Sequence, residues 1–199
     1  MKINRENHKY LTYFILILIA ISTVLSYGIS LFLKKNNLNI PFYIDLPIAT
    51  TAIYSILFMW FDKKLWKLGI FKRLGIITAE DLNGKWIGHI KSSYDKFATE
   101  IPTELIIKQT GTTVKIQGKF NQSKSISVHE DFGISEIDQS TALFYFYRNV
   151  PNNDAESTMA IHEGSTKLIY NKETDTLDGS YFSGRDRNNY GTMTVKRQK

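Results

Sequence analysis

Tyrosine, serine and arginine recur at alternate positions near the C-terminal end of this 199-residue chain. In the stretch LDGSYFSGRDRNNYGT (residues 177–192), Gly179, Tyr181, Ser183 and Arg185 fall on one face of a regular strand, because strand side chains alternate with period two. That face would present a ring, a hydroxyl and a guanidinium in a row. A flat aromatic surface suits a nucleobase, and the forked guanidinium suits a phosphodiester. The same residues also fit a turn in which Arg185 and Arg187 pair with Asp186 or Asp178, and spacing alone leaves both readings open.

The remaining chemistry-bearing residues do not assemble into an enzyme. There is no glycine-rich phosphate loop, no His-Glu-x-x-His and no Gly-x-Ser-x-Gly, the spacings that phosphate, zinc and serine chemistry require. The chain has no cysteine, and its four histidines are His8, His89, His129 and His162. His129 beside Glu130 and Asp131, and His162 beside Glu163, read as solvated strand ends rather than metal pairs. No catalytic residue, metal site or cofactor is assigned, and the domain reads as a binder.

Two apolar runs come first in the chain. Residues 11–33 carry no charge, and at ~1.5 Å per residue they reach roughly 34 Å, enough for a ~30 Å hydrocarbon core. Residues 40–61 form a second run with one charge, Asp45, read as interfacial rather than as a proton relay. A link of residues 34–39 makes the two spans antiparallel neighbours. A cleaved signal peptide fits poorly, because the first run is too long and no small-x-small site follows it. Ser22, Ser26 and Ser30 make one small polar stripe, and Thr51 with Ser55 makes another. Such stripes pack helices within a hairpin or between hairpins.

Charge divides the chain unevenly. Residues 1–78 hold ten Lys/Arg against three acids, and residues 79–199 hold fifteen against sixteen. The net +6 therefore belongs to the membrane flanks and gives no reason to expect a DNA or RNA polymer as partner. Lys2, Arg5 and Lys9 precede the first span, and Lys63, Lys64, Lys67, Lys72 and Arg73 follow the second. The positive-inside bias puts residues 1–10, the C-terminal domain and the C-terminus in the cytoplasm. Residues 62–78 read as a basic amphipathic connector on anionic headgroups, with Trp60 and Trp66 as interface anchors.

From residue 79 onward the period changes to two. Runs at 86–90, 103–110, 112–120, 123–134, 141–150, 158–170, 176–183 and 191–197 read as strands separated by turn-rich links. About eight short strands with hairpin-length links predict a closed up-and-down antiparallel barrel, since closure removes exposed sheet edges. A two-sheet sandwich is the alternative. Leu143 to Arg148 (LFYFYR) is bulky on both faces, so one face lines the interior and the other covers a lid, the connector or a neighbouring subunit. Gly84-Lys85-Trp86 has the Gly-x-Trp spacing of the first strand in lipocalin-like barrels, where the Trp plugs the closed end and often stacks on a late-strand Arg. A ligand-stacking role for Trp86 is the competing reading.

The order of motifs resembles one known family. After two spans come Leu-x-Gly-x-Trp (residues 82–86), Ile-x-x-Gln-x-Gly (106–111), Leu-x-Tyr-x-Tyr (143–147), His-x-Gly (162–164), Leu-x-Gly-x-Tyr-Phe-Ser-x-Arg (177–185) and Gly-Thr (191–192). The pattern resembles the SMODS-associated two-transmembrane, β-strand-rich effectors of cyclic-oligonucleotide antiphage signalling (CBASS), over nearly the whole chain. The resemblance implies that a CD-NTase makes a cyclic dinucleotide on infection and that the cytoplasmic barrel binds it. The protein then self-associates in the bilayer of the inner membrane and disrupts it. It implies ligand contacts at Tyr181, Ser183 and Arg185, then at Tyr145, Tyr147, Gln109 and His162, with Arg187 a further candidate in the turn. Rivals from other classes are a membrane-tethered lipocalin-like binder of a lipid and a membrane-anchored adaptor that binds protein.

Replacing Arg185 with Ala should abolish cyclic dinucleotide binding in calorimetric titration while leaving folding and membrane insertion intact. Unchanged affinity would remove Arg185 from the site.

Overall fold

The structure, a computed structural model, describes residues 8–36, 42–134, 140–155, 160–184 and 187–198. Arg185, Asp186, the start of the sixth predicted strand and the side chain of Asp45 lie outside the described residues. The chain divides into two compact units, within residues 3–78 and residues 79–199.

The first unit is helical. Helix α1 (His8–Lys35) and helix α2 (Phe42–Lys63) run antiparallel: Phe14 stacks near Phe61 with ring centroids 4.5 Å apart, and Ser26 Oγ donates to the Leu46 carbonyl at 3.2 Å. Residues Tyr10–Lys35 form a stretch long and apolar enough to cross a bilayer. Ser22 and Ser26 are fully buried, and Ser22 Oγ donates to its own helix at Leu18 O, 2.7 Å. Ser30 is half-buried. Thr51 and Ser55 do otherwise. Both are exposed and bond within α2, to Pro47 O and Thr51 O at 2.8 Å each, so the two stripes do not meet in one seam.

The connector differs from its sequence reading. A short 3-10 turn (Leu65–Lys67) and helix α3 (Gly69–Arg73) fold it back on the helix pair. Gly75, at φ 67°, closes α3: its N–H reaches Lys72 O and that of Ile76 reaches Phe71 O, both at 2.9 Å, the Schellman pattern that a left-handed residue permits. Phe61, Trp66, Ile76 and Ile77 bury one another against Leu11, Phe14, Phe58 and Phe71. Trp66 is therefore a core residue at 1 % exposure rather than an interface anchor, while Trp60 remains exposed. A large ring flanked by Phe and Ile gains more from packing than from lying at a surface.

The second unit is an eight-stranded closed antiparallel barrel. Its strands are β1 (Gly84–Ser92), β2 (Ile101–Gln109), β3 (Val114–Phe120), β4 (Ser123–Ile134), β5 (Thr141–Pro151), β6 (His162–Asn171), β7 (Thr176–Ser183) and β8 (Tyr190–Arg197). Each pairs with the next, and β8 returns to β1 in the register Trp86↔Arg197 to Ser92↔Gly191. That closure excludes the sandwich. Inward residues alternate along each strand, most clearly in β5, where Leu143, Tyr145, Tyr147 and Asn149 are buried and Phe144 and Phe146 face out.

One end is plugged. Leu82, Trp86, Leu105, Ile107, Leu143, Leu168, Leu177 and Val195 make its dry interior. The Arg197 guanidinium lies 4.4 Å from the Trp86 ring centroid, and its nitrogens donate to Asn83 O (2.6 Å), Asp81 O (2.8 Å) and Asp175 Oδ1 (3.0 Å). Trp86 Nε1 donates to Leu82 O at 3.0 Å, and the Tyr170 ring meets Trp86 edge-on at 6.0 Å. Trp86 is the structural plug, stacked on a late-strand Arg as the lipocalin-like spacing suggested.

Trp86→Ala should cost about 3–5 kcal/mol, the range for emptying a buried Trp site, and Arg197→Ala should cost about 1.5–3 kcal/mol through its charge-assisted bonds. Urea unfolding of the purified variants checks both. A Trp86→Ala midpoint equal to that of the parent would contradict the plug assignment.

Candidate functional site

At the other end of the barrel the inward side chains turn small and polar. On β4 the inward row is Ser123, Ser125 and Ser127, all buried, while Ile126 and Val128 face out at 60 % and 58 % exposure. This inversion of the usual pattern leaves an unfilled interior, and a bulge between Ser127 and His129 marks the strand. Ser127 Oγ there accepts from the Ile116 N–H at 2.9 Å. The resulting cavity has a volume of about 550 Å³, within the roughly 300–1,000 Å³ range of small-molecule sites.

Two tyrosines in its wall are held by the same three-strand device. Tyr147 of β5 pairs with Gly164 of β6, which pairs with Ser183 of β7. Tyr181 of β7 pairs with Gly191 of β8, which pairs with Ser92 of β1. In each case the ring crosses the glycine and the serine hydroxyl two strands away acts on the phenol. Tyr147 OH donates to the Phe182 carbonyl at 3.4 Å. A Cβ on either glycine would lie 2.5 Å from the ring, at Cζ of Tyr147 or Cε1 of Tyr181, so only glycine allows the rings to lie against the wall. The third tyrosine, Tyr145, is in register with Thr166 on the adjacent strand, whose buried hydroxyl has no hydrogen-bond partner. Burial pushes all three phenols up from their ordinary values, which keeps them neutral.

Titratable groups complete the lining. Arg187 is returned to the cavity by the link between β7 and β8, where its N–H reaches Gly184 O at 3.0 Å. Its positive charge acts on Tyr147, Tyr181 and His162. Asp178 is engaged elsewhere, accepting from Thr176 Oγ1 at 2.8 Å. His162 lies edge-on to Tyr147, centroids 6.4 Å apart. Burial is the main cause holding its pKa below the ordinary value, with Arg187 adding to the effect against the Ala160 carbonyl. The Thr99 hydroxyl and N–H hold the Asp95 carboxyl below its usual range, so Asp95 brings a negative charge to the rim.

The structure thus brings Tyr145, Tyr147, His162, Tyr181, Ser183 and Arg187 to one cavity. Gln109 is not there. Its Oε1 accepts from Leu82 N at 2.8 Å and its Nε2 donates to Glu80 O at 3.1 Å, which commits both ends of the amide to the backbone that enters the plugged end. Arg185 falls outside the described residues.

Sequence reasoning missed Asn149 and its partner Ser123. Asn149 is 5 % exposed, its Nδ2 donates to Ser123 Oγ at 3.1 Å, and its Oδ1 has no protein partner. A buried acceptor in that state costs about 1–3 kcal/mol. The signal was the inverted serine row of β4, whose apolar residues point the wrong way for a filled core. Among the described residues no three His, Asp or Glu side chains cluster as metal ligands. Glu130, next to His129, is ion-paired with Lys115 at 3.0 Å.

A barrel closed at one end, with a polar, tyrosine-walled cavity at the other, joined to a membrane-type helix pair, defines a membrane-anchored small-ligand receptor. Comparison with known proteins makes the class specific. Residues 77–197 match the model described as the Cap15 cyclic dinucleotide receptor domain, and residues 14–67 match that of the Cap15 TM helices. The chain belongs to the Cap15 family, the CBASS effectors that its sequence resembles. It is 32 % identical over 163 residues to CD-NTase-associated protein 15 of Yersinia aleksiciae, covering 81 % of this chain and 75 % of the relative. It is 26 % identical over 172 residues to the protein of the same name from Escherichia albertii, covering 83 % and 84 %.

The lowered pKa of His162 gives a signed pH effect. Folded His162 holds its proton less tightly than the unfolded chain does, so the unfolded state gains protons first as pH falls below about 6.5. His162→Gln should therefore gain stability relative to the parent between about pH 6.5 and 5, and the gap should be constant above about pH 7. Paired urea midpoints across that range check it, and a pH-independent gap would contradict it.

Proposed function

We propose that the barrel senses a cyclic dinucleotide made by a CD-NTase and that the helix pair carries out the response. The observation that supports this most strongly is the repeated Tyr–Gly–Ser device. Two flat, neutral rings stand against adjacent parts of one wall, and the ligand has two bases to stack on them. Stacking contributes about 1–3 kcal/mol per base. Arg187, whose field reaches both rings, meets a phosphodiester, with Arg185 as a second cation from the same link. Tyr145, Ser183 and His162 complete the contacts, and no catalytic step is required.

The response follows by linkage. The chain lies in the bacterial inner membrane with both helices spanning and with both termini and the barrel in the cytoplasm, as the basic flanks favour. Ligand that prefers the assembled state draws the helix pairs together, through contacts that include the exposed Thr51–Ser55 stripe, and the bilayer is disrupted. Turning a mostly resting population into a mostly assembled one takes about 5.5 kcal/mol of differential affinity, which several ligand-bound chains in one assembly can share.

The test is calorimetric titration of the full chain in detergent micelles with cyclic di- and trinucleotides alongside fatty acids. One cyclic dinucleotide should bind at micromolar concentration or tighter, and Tyr147→Ala and Tyr181→Ala should each weaken it about tenfold to a hundredfold. Uptake of fatty acid with no nucleotide binding would overturn the reading in favour of a lipid carrier.

A further inference from the structure

Asn149 is placed to read chemistry rather than to fill space. It follows Tyr147 on the inward row of β5, in register with Ser125 on β4 and His162 on β6. Ser123 Oγ takes a hydrogen bond from one end of its amide at 3.1 Å. That contact fixes the side chain and leaves the carbonyl end, Oδ1, without a protein partner in a residue 95 % removed from solvent. Asn149 is one of the residues that line the cavity.

Its neighbour has the same polarity. The His162 Nδ1 lies 3.1 Å from the Ala160 carbonyl. A carbonyl can only accept, so the neutral ring carries its proton on Nδ1 and offers Nε2 as an acceptor. Two acceptors in register on adjacent strands call for a ligand group with hydrogens to give. Phosphate oxygens have none. In a cyclic dinucleotide the candidates are the exocyclic amino group of a base, the ring N–H of guanine or uracil, and the ribose 2′-hydroxyl. The last two have a single hydrogen each, too few for two acceptors. The amino group fits better, because it has two hydrogens and lies in the plane of a base stacked beside Asn149 on Tyr147.

Building on the cyclic dinucleotide reading above, we propose that Asn149, braced by Ser123, is the specificity residue of this cavity. Its Oδ1 accepts a hydrogen from the exocyclic amino group of one nucleobase, so the site favours adenine, guanine or cytosine over uracil. Asn amides read amino-bearing base edges in nucleic-acid complexes by the same donor–acceptor logic. Arg187, which meets phosphate, adds affinity without choosing between bases.

The experiment titrates the full chain in micelles with cyclic di-AMP, cyclic di-GMP, cyclic UMP–AMP and cyclic di-UMP. The unsubstituted chain should bind its best amino-bearing ligand at least about tenfold more tightly than cyclic di-UMP, and Asn149→Ala should reduce that ratio to about twofold or less. Asn149→Asp keeps an acceptor at the same place and should retain the preference at lower overall affinity, whereas Arg187→Ala should weaken every ligand alike. Thermal melting confirms that each variant is folded, and Asn149→Asp carries the test should Asn149→Ala fail to fold. An intact ratio in Asn149→Ala overturns the proposal, as does a loss of preference in folded Asn149→Asp. A further arm uses the best ligand without its amino groups and, separately, without its 2′-hydroxyls. If Asn149→Ala cancels the effect of the hydroxyls instead of the amino groups, the residue reads sugar and the base-reading proposal fails. Binding of no cyclic dinucleotide by the unsubstituted chain would overturn the receptor reading itself, an outcome distinct from a bound ligand indifferent to Asn149.

Discussion

The contact on which the barrel depends is the stacking of Arg197 on Trp86. A sheet becomes a barrel only if its last strand finds its first, and here the final residue of β8 pairs in register with Trp86 of β1. The guanidinium covers the indole face and ties two carbonyls of the entering segment and the carboxylate of Asp175, on the link between β6 and β7, to one planar group. Arg suits this role because its flat, permanently charged fork can stack and donate at once. Closure leaves no free sheet edge, and an unpaired edge would invite association with other chains.

With one end clasped in this way, the other can be left unfilled. Polar and small residues replace aliphatic ones along the barrel axis, from Leu105, Leu143 and Leu168 at the plugged end to Ser123, Asn149 and Ser183 at the cavity. The tyrosines sit between these zones. Tyr147 and Tyr181 each have a glycine beneath the ring and a serine beyond the hydroxyl, so these two rings are set before any ligand arrives. Preorganisation of that kind lowers the entropy lost on binding. The wall around the cavity has the reverse polarity to an ordinary strand, and Ile126, Val128, Phe146 and Phe182 lie on its outside.

Much of the architecture was legible because alternation and turn chemistry are local signals. The strand runs, the up-and-down order and the Trp86 plug all followed from short spacings. What the sequence could not rank was which end of the barrel a polar inward residue occupies. Gln109 and Asn149 are both buried amides on strands. One is spent on the backbone at Glu80 and Leu82, the other faces the cavity, and no local feature tells them apart. Arg187 sits in a link whose path back to the cavity depends on the pairing of β7 with β8. Trp66 follows a basic amphipathic pattern, yet Phe14 of α1 and the returning Ile76 make a core around it, a long-range effect that periodicity does not see. The glycines of His-x-Gly and Gly-Thr were visible as motifs, but their purpose as seats for Tyr147 and Tyr181 appears only across three paired strands.

The axial separation of plug from cavity also bears on how such receptors diversify. Arg197 and Asp175, which clasp one end, lie outside the cavity lining, and the two zones meet through Tyr145, Tyr147 and Met193, which belong both to the core around Trp86 and to the cavity wall. Effects of distant, independent sites add rather than compound. On the reading proposed for Asn149, a lineage under pressure to follow a changing messenger can sample new bases there while the Arg197–Trp86 clasp at the far end stays in place. In this barrel, recognition is an exchangeable part mounted on a fixed chassis.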